Sequence, residues 1–270
     1  MARPGIAALR AALVDLVLPR ACAGCGVPSA GLCPRCGLLL TRARTAAPRR
    51  FPWGFPPTVA AGAYAGPVRA AVLAFKERGR AELAVPLGAA LALAVAAVVS
   101  AVPGPPRPVA LVPVPSSRQA LRERGRDHVR ELTAQAVTEL RLAGLPAAEA
   151  RLLRRRGRVR DSAGLSAAQR RANLAGTFER CATRGRPPAA ALLVLVDDVV
   201  TTGSTLTEAA AVLSGTGSEG GMPLLAAVVA ATPRAGREPP HAAGRDRARN
   251  RPEILRSAPL DRLSGPGKQD

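Results

Sequence analysis

The stretch from Leu192 to Thr205 constrains this chain more than any other. Leu192-Leu193-Val194-Leu195-Val196 is an unbroken aliphatic run inside a strand expected over Ala190 to Val196. A run that is apolar at every position, not at alternate ones, belongs to a strand covered on both faces. Asp197 and Asp198 follow at the C-terminal end of that strand, where open α/β sheets bind their ligands. Thr201-Thr202-Gly203-Ser204-Thr205 then turns into a helix expected over Thr205 to Leu213. Backbone N–H groups, hydroxyls and the positive end of a helix dipole converge there, which suits a phosphate. Carboxylates for hydroxyls, with a phosphate cradle one short loop away, describe a site for a phosphorylated sugar. A plain capped helix after a buried strand needs one Ser, Thr or Asp at the cap and a turn residue, not this whole ordered set.

Upstream, strand-like and helix-like patterns alternate. Val59 to Tyr64 reads as a short strand, Val68 to Lys76 as a helix with apolar residues at helical spacing, and Pro108 to Pro115 as a buried strand ended by prolines. Gln119 to Ala143 reads as one helix stopped by Gly144 and Pro146, and Pro223 to Ala231 as a last buried strand. Such alternation predicts an α/β fold with a mainly parallel sheet flanked by helices. Leu83 to Val102 has the length and apolarity of a membrane span. Its alanine content, with Pro86 and Gly88, fits a buried helix of the α/β domain instead, and no stable membrane insertion is expected.

Four of the five cysteines fall within residues 22 to 36, as Cys22-Ala23-Gly24-Cys25 and Cys33-Pro34-Arg35-Cys36. With no secretory signal before them, metal ligation is favoured over disulfides and the cytoplasm is the expected compartment. Four thiolates suit tetrahedral Zn2+ with no open position, hence a structural site, with a redox dithiol or an iron-sulfur cluster as alternatives. Cys181 reads as a small hydrophobe, and His128 and His241 sit in no metal or nucleophile motif.

The formal charge of +20 attracts polyanions, and Arg151 to Arg171 concentrates eight arginines against the single acid Asp161. That segment is either a solvated basic face or a phosphate-contacting one. The expected organisation is a zinc-ribbon-like cysteine module over residues 1–45, a proline-punctuated linker over 46–57, the α/β domain over 58–232 and a disordered tail over 233–270.

The hydrophobic run, two acids, two hydrophobics and Thr-Thr-Gly-Ser-Thr resemble the 5-phosphoribosyl-1-diphosphate (PRPP) signature of type I phosphoribosyltransferases. The order of the cysteine pairs, Ala74-Phe75-Lys76, Pro113-Val114-Pro115, Arg124-Gly125 and Arg171 to Phe178 is similar to that of the ComF family (ComF/GntX), over roughly residues 10 to 232. The chain departs from the family pattern at Arg126-Asp127-His128, at Asp161-Ser162-Ala163 and in the length of Gly215 to Gly221. The resemblance implies a type I phosphoribosyltransferase-like fold in which Asp197 and Asp198 hold the ribose hydroxyls and Thr201, Thr202, Gly203, Ser204 and Thr205 bind the 5-phosphate. It further implies that Pro115, Ser116 and Arg118 meet the diphosphate with Mg2+, and it links the chain to competence, with single-stranded DNA and a competence helicase as partners. A glycosyltransferase moving a pentosyl group is the first expectation. The alternatives are a non-enzymatic single-stranded nucleic-acid-handling module, which the scarcity of aromatic residues disfavours, and a PRPP-sensing regulator.

Overall fold

The computed structural model describes residues 21–48, 52–156, 176–181, 187, 190–214 and 224–233. The chain divides into two units, Met1–Arg237 and Glu238–Asp270, and every described residue belongs to the first. The expectations for the segment before Ala21, for Arg158 to Arg171, for Gly215 to Gly221 and for the tail beyond Pro233 lie outside the described residues.

The strands are β1 (Arg44–Thr45), β2 (Thr58–Ala63), β3 (Val109–Pro113), β4 (Ala147–Glu149), β5 (Leu153–Arg155), β6 (Phe178–Arg180), β7 (Leu192–Val200) and β8 (Leu225–Ala231). Six of them form one sheet in the order β1-β2-β8-β7-β3-β4, parallel throughout except for the antiparallel edge pair β1–β2. The other two, β5 and β6, make a separate antiparallel ribbon. The helices are α1 (Pro34–Gly37), α2 (Gly66–Glu77), α3 (Ala84–Ser100), α4 (Arg118–Arg124), α5 (His128–Leu142) and α6 (Ser204–Ser214). The expected mixed α/β architecture with a mostly parallel sheet flanked by helices is therefore present.

Because side chains alternate along a strand, the sheet buries two different sets. Leu111, Val194, Val196 and Ala227 pack with Phe75 of α2, Leu91 of α3 and Leu132 of α5. Ala110, Val112, Leu195 and Val228 pack on the other side with Leu206 and Leu213 of α6 and with Leu153 and Phe178 of the ribbon. A fully buried leucine contributes about 2 kcal/mol of hydrophobic stabilisation, which is why these strands read as continuous apolar runs. Residues Ala81–Ser100 form the one stretch among the described residues long and apolar enough to cross a membrane, and half of it is buried inside the protein. Leu87, Leu91 and Val95 of α3 are completely covered, and Gly88 sits so close to α5 that an added Cβ would lie 2.5 Å from the Cβ of Gln135.

The expected single helix over Gln119 to Ala143 is two helices. Gly125 adopts φ 67°, a left-handed conformation that ends α4, and the Asp127 carboxylate accepts the N–H of Arg130 to start α5 afresh. The expected strand ending at Val196 instead runs on to Val200, because Asp197, Val199 and Val200 keep their register with Val228, Ala230 and Ala231 of β8. The aspartates thus lie inside the strand and not beyond it.

Candidate functional site

Placement inside β7 sends the two acids to opposite faces of the sheet. Asp198 shares the face of Val194 and Val196, where α2 and α5 pack. Its Oδ2 accepts from Lys76 Nζ at 2.7 Å and lies 3.0 Å from His128 Nε2, and Asp198 and His128 are each 4% exposed. Arg124 Nη1 lies 3.4 Å from His128 Nδ1, and a guanidinium can only donate. The imidazole therefore carries its proton on Nε2 and gives that hydrogen bond to Asp198. Burial pushes the Asp198 carboxyl up, but the His128 hydrogen bond and the Lys76 charge outweigh it and hold the group well below the usual carboxylate range. Burial likewise pulls Lys76 down, and Asp198 more than restores it.

Asp197 is only partly covered and shares the Leu195 face. Its Oδ1 accepts the Asp198 N–H at 2.8 Å. Burial, followed by the charge of Asp198, pushes its carboxyl up to about 8, against the lowering pull of Lys76. Arg155 on β5 also feels Asp197: burial lowers the guanidinium and the Asp197 charge partly offsets this. Arg155 stands 5.4 Å from the Phe178 ring centroid, and its Nε is buried without a hydrogen-bond partner.

Thr201 to Gly203 form the bend between β7 and α6, and the helix starts at Ser204, one residue earlier than expected. Gly203 has φ 78°, and an added Cβ would meet the Phe55 ring at 2.7 Å. The Gly203 carbonyl accepts both the N–H and the hydroxyl of Thr207, while Thr202 Oγ1 and Ser204 Oγ lie 3.0 Å apart. These contacts fix the loop at the N-terminus of an eleven-residue helix, with Thr201 exposed.

Pro115, Ser116 and Arg118 lie on a different wall. Val114 N–H donates to Val196 O at 3.0 Å, so the loop leaving β3 begins beside Asp197. Ser116 donates to Asp127 at 3.3 Å and Ser117 caps α4 by accepting from Ala120 at 3.0 Å. This loop and the ribbon strand β5 enclose a cavity of about 490 Å³. Neither the aspartates nor Thr201 to Thr205 line that cavity, so the structure joins the two acids to the threonine loop and sets the proline loop on the neighbouring strand. Sequence reasoning assigned His128 no chemistry and missed the Lys76–Asp198–His128 cluster. The missed signal is an aspartate inside a buried strand, which requires buried donors from elsewhere in the chain.

The four cysteines converge. Their Sγ atoms all lie within 4.8 Å of one another, and Cys25 and Cys33 sulfurs are 3.6 Å apart. Tetrahedral zinc with Zn–S bonds of about 2.3 Å needs sulfurs about 3.8 Å apart, so this cluster could hold a metal ion such as zinc. Burial raises the Cys22 thiol, but N–H groups of Cys33, Cys25 and Gly24 aimed at its sulfur outweigh that and bring it to about 6. Burial and the neighbouring sulfurs push Cys36 the other way, so a full set of thiolates requires a cation among them. The segment is docked on the sheet edge. Leu40 is in the main core, β1 pairs with β2, and an added Cβ on Gly62 of β2 would lie 2.7 Å from the Leu39 carbonyl oxygen.

A scan of the chain against protein-family models finds no match, and a search of curated proteins finds none either.

Proposed function

We propose that this chain is a ComF-like, type I phosphoribosyltransferase-like protein that binds PRPP with Mg2+ and transfers its pentosyl group. The observation that carries the reading is the sequence of parts along β7 and α6: a buried central strand of a parallel sheet, the Asp197 carboxylate with no cation at ion-pair distance among the described residues, and a hydroxyl-rich loop at a helix N-terminus. On this reading Thr201 to Thr205 take the 5-phosphate, Asp197 faces the ribose hydroxyls, and Asp198, gripped by Lys76 and His128, fixes the strand end on which Asp197 stands. Pro115, Ser116 and Arg118 face the diphosphate, and Mg2+, when bound with PRPP, neutralises that leaving group. The bond from the anomeric carbon to diphosphate breaks with its electron pair leaving on diphosphate, an acceptor lone pair forms the new bond to that carbon, and the acceptor proton passes to solvent. The cysteine cluster holds structural zinc.

Calorimetry with PRPP and Mg2+ tests this. Saturable binding is expected, weakened about tenfold by Thr202→Val through the loss of a hydroxyl that can donate to phosphate. No saturable binding at millimolar PRPP sinks the reading. Gly203→Val acts differently from a change that intrudes on a ligand: its side chain would strain a left-handed backbone and collide with Phe55. For the zinc, metal analysis should find about one Zn2+ per chain, and an iron-sulfur absorption band would refute it.

A second reading rests on the charge of +20 and the exposed Arg151, Arg154 and Arg156: a module that handles single-stranded DNA, linked to competence and a helicase partner. It requires binding that falls steeply with salt and does not depend on sequence.

A further inference from the structure

One wall of the 490 Å³ cavity is the proline loop that the PRPP reading gives to the diphosphate, and the ribbon wall carries arginines that this reading does not use. Its lining carries six arginines and two acids. Three of those arginines are paired with carboxylates: Arg130 and Arg151 share Glu149 at 3.0 and 2.8 Å, and Arg154 lies 2.9 Å from Glu179. Among the described residues Arg118, Arg155 and Arg156 have no carboxylate at ion-pair distance. The lining acid Asp127 is committed to capping α5 and to the Ser116 hydroxyl. Arg155 is half-buried with its Nε unsatisfied, and an unmet donor on a desolvated cation is a costly arrangement unless a ligand meets it. The remaining wall is apolar, with Pro113, Val114, Leu121 and Leu153. A cavity of this size, mostly apolar with a few convergent polar groups, is the usual form of a small-molecule site.

We infer that Arg155 and Arg156, on the ribbon wall opposite Arg118, recognise an oxyanion on the second substrate, so that the pentosyl acceptor is a small molecule carrying a carboxylate or phosphate and not a neutral base. The inference rests on the pentosyl-transfer reading for the word acceptor, and on the cavity alone for the anion. Arginine is suited to the task because its planar fork donates two parallel hydrogen bonds to either group. The apolar wall takes the uncharged body of the molecule.

The experiment is calorimetry on the full chain with matched probes that differ in one charge: orotate against uracil, nicotinate against nicotinamide, and phenyl phosphate against phenol, each with and without saturating PRPP and Mg2+. The anionic member of at least one pair should bind about tenfold or more tightly than its neutral twin, and the pair that responds distinguishes carboxylate from phosphate. Arg155→Met and Arg156→Met should each remove most of that preference while leaving PRPP affinity within about twofold. If Arg155→Met does not fold by circular dichroism, the exposed Arg156 carries the test alone. Equal binding of charged and neutral twins overturns the inference. So does a parallel loss of PRPP and probe binding in the arginine variants, which would assign these arginines to the diphosphate. PRPP binding with no anion preference leaves the pentosyl-transfer reading standing and removes the inference, whereas anion preference without PRPP binding removes that reading and keeps the anion site.

Discussion

Where β7 ends, its two faces treat adjacent carboxylates differently. Asp198 meets an ammonium and an imidazole within 3.0 Å, whereas Asp197 meets its neighbour's charge and the more distant, half-buried guanidinium of Arg155. One acid is locked as an anion and the other is driven toward its neutral form. Two residues that a motif treats as a pair are thus separated by the elements behind each face: α2 and α5 on one side, the β5–β6 ribbon on the other. A ligand hydroxyl or cation that settles on Asp197 would lower its proton affinity again, so Asp197 is the acid whose state a ligand can set.

The comparison breaks most severely at Lys76. Lys76→Met leaves the Asp198 carboxylate buried without its cation and should cost about 3 kcal/mol in urea unfolding. Adding Asp198→Asn to it should recover a substantial part. If the single change is silent, the Asp198 face is not held by this pair.

His128→Leu removes one donor from Asp198 and leaves Arg124 its contact with Glu77. The expected cost is about 2 kcal/mol, with partial recovery in His128→Gln, which can still donate. Equal losses for Leu and Gln would mean that ring packing against Phe75 outweighs the hydrogen bond.

Asp197→Asn should act in the opposite direction and most weakly, raising stability by about 1 kcal/mol at pH 8. The sign follows from its raised carboxyl: the native state binds a proton that the unfolded chain releases near pH 3.8, so stability drains away as pH rises from about 4 to about 8. The variant's advantage should therefore be absent near pH 4 and grow toward pH 8. Asp198 contributes in the other sense, stabilising at neutral pH and failing only in strong acid. A wild-type profile flat from pH 4 to 8, unaltered by Asp197→Asn, would erase the distinction between the two faces.

How far the sequence could be read follows the range of the forces involved. Leu192 to Val196 and Pro108 to Pro115 announced themselves because strands buried on both faces leave no polar position. The cysteine pairs did so because four thiolates within fifteen residues have few other uses. The restart of the helix at Asp127 is legible in Gly125 and in the capping acid, which the reading of one helix from Gln119 to Ala143 passes over. By contrast, β4 and β5 are three-residue strands, Ala-Ala-Glu and Leu-Arg-Arg, too short for any period. Their pairing is set by what lies beside them in space. The same holds for His128 and Asp198, whose contact spans seventy residues and has no local trace. Asp197 and Asp198, expected at the C-terminal end of a strand closing at Val196, lie within it because the ladder to β8 carries the backbone through them, although aspartate disfavours strands.

The strand order has a consequence in time. β2 lies between β1 and β8, so Thr58 has to wait for Ala226 before its parallel partner exists. At translation rates of about 5–20 residues per second, that delay is on the order of ten to thirty seconds. Throughout it Leu87, Leu91 and Val95 of α3 lack the β8 floor on which they finally rest. Until that strand arrives, one side of this apolar helix stays uncovered on the newborn chain, the kind of transiently exposed hydrophobic surface that makes slow-folding sheets prone to aggregate.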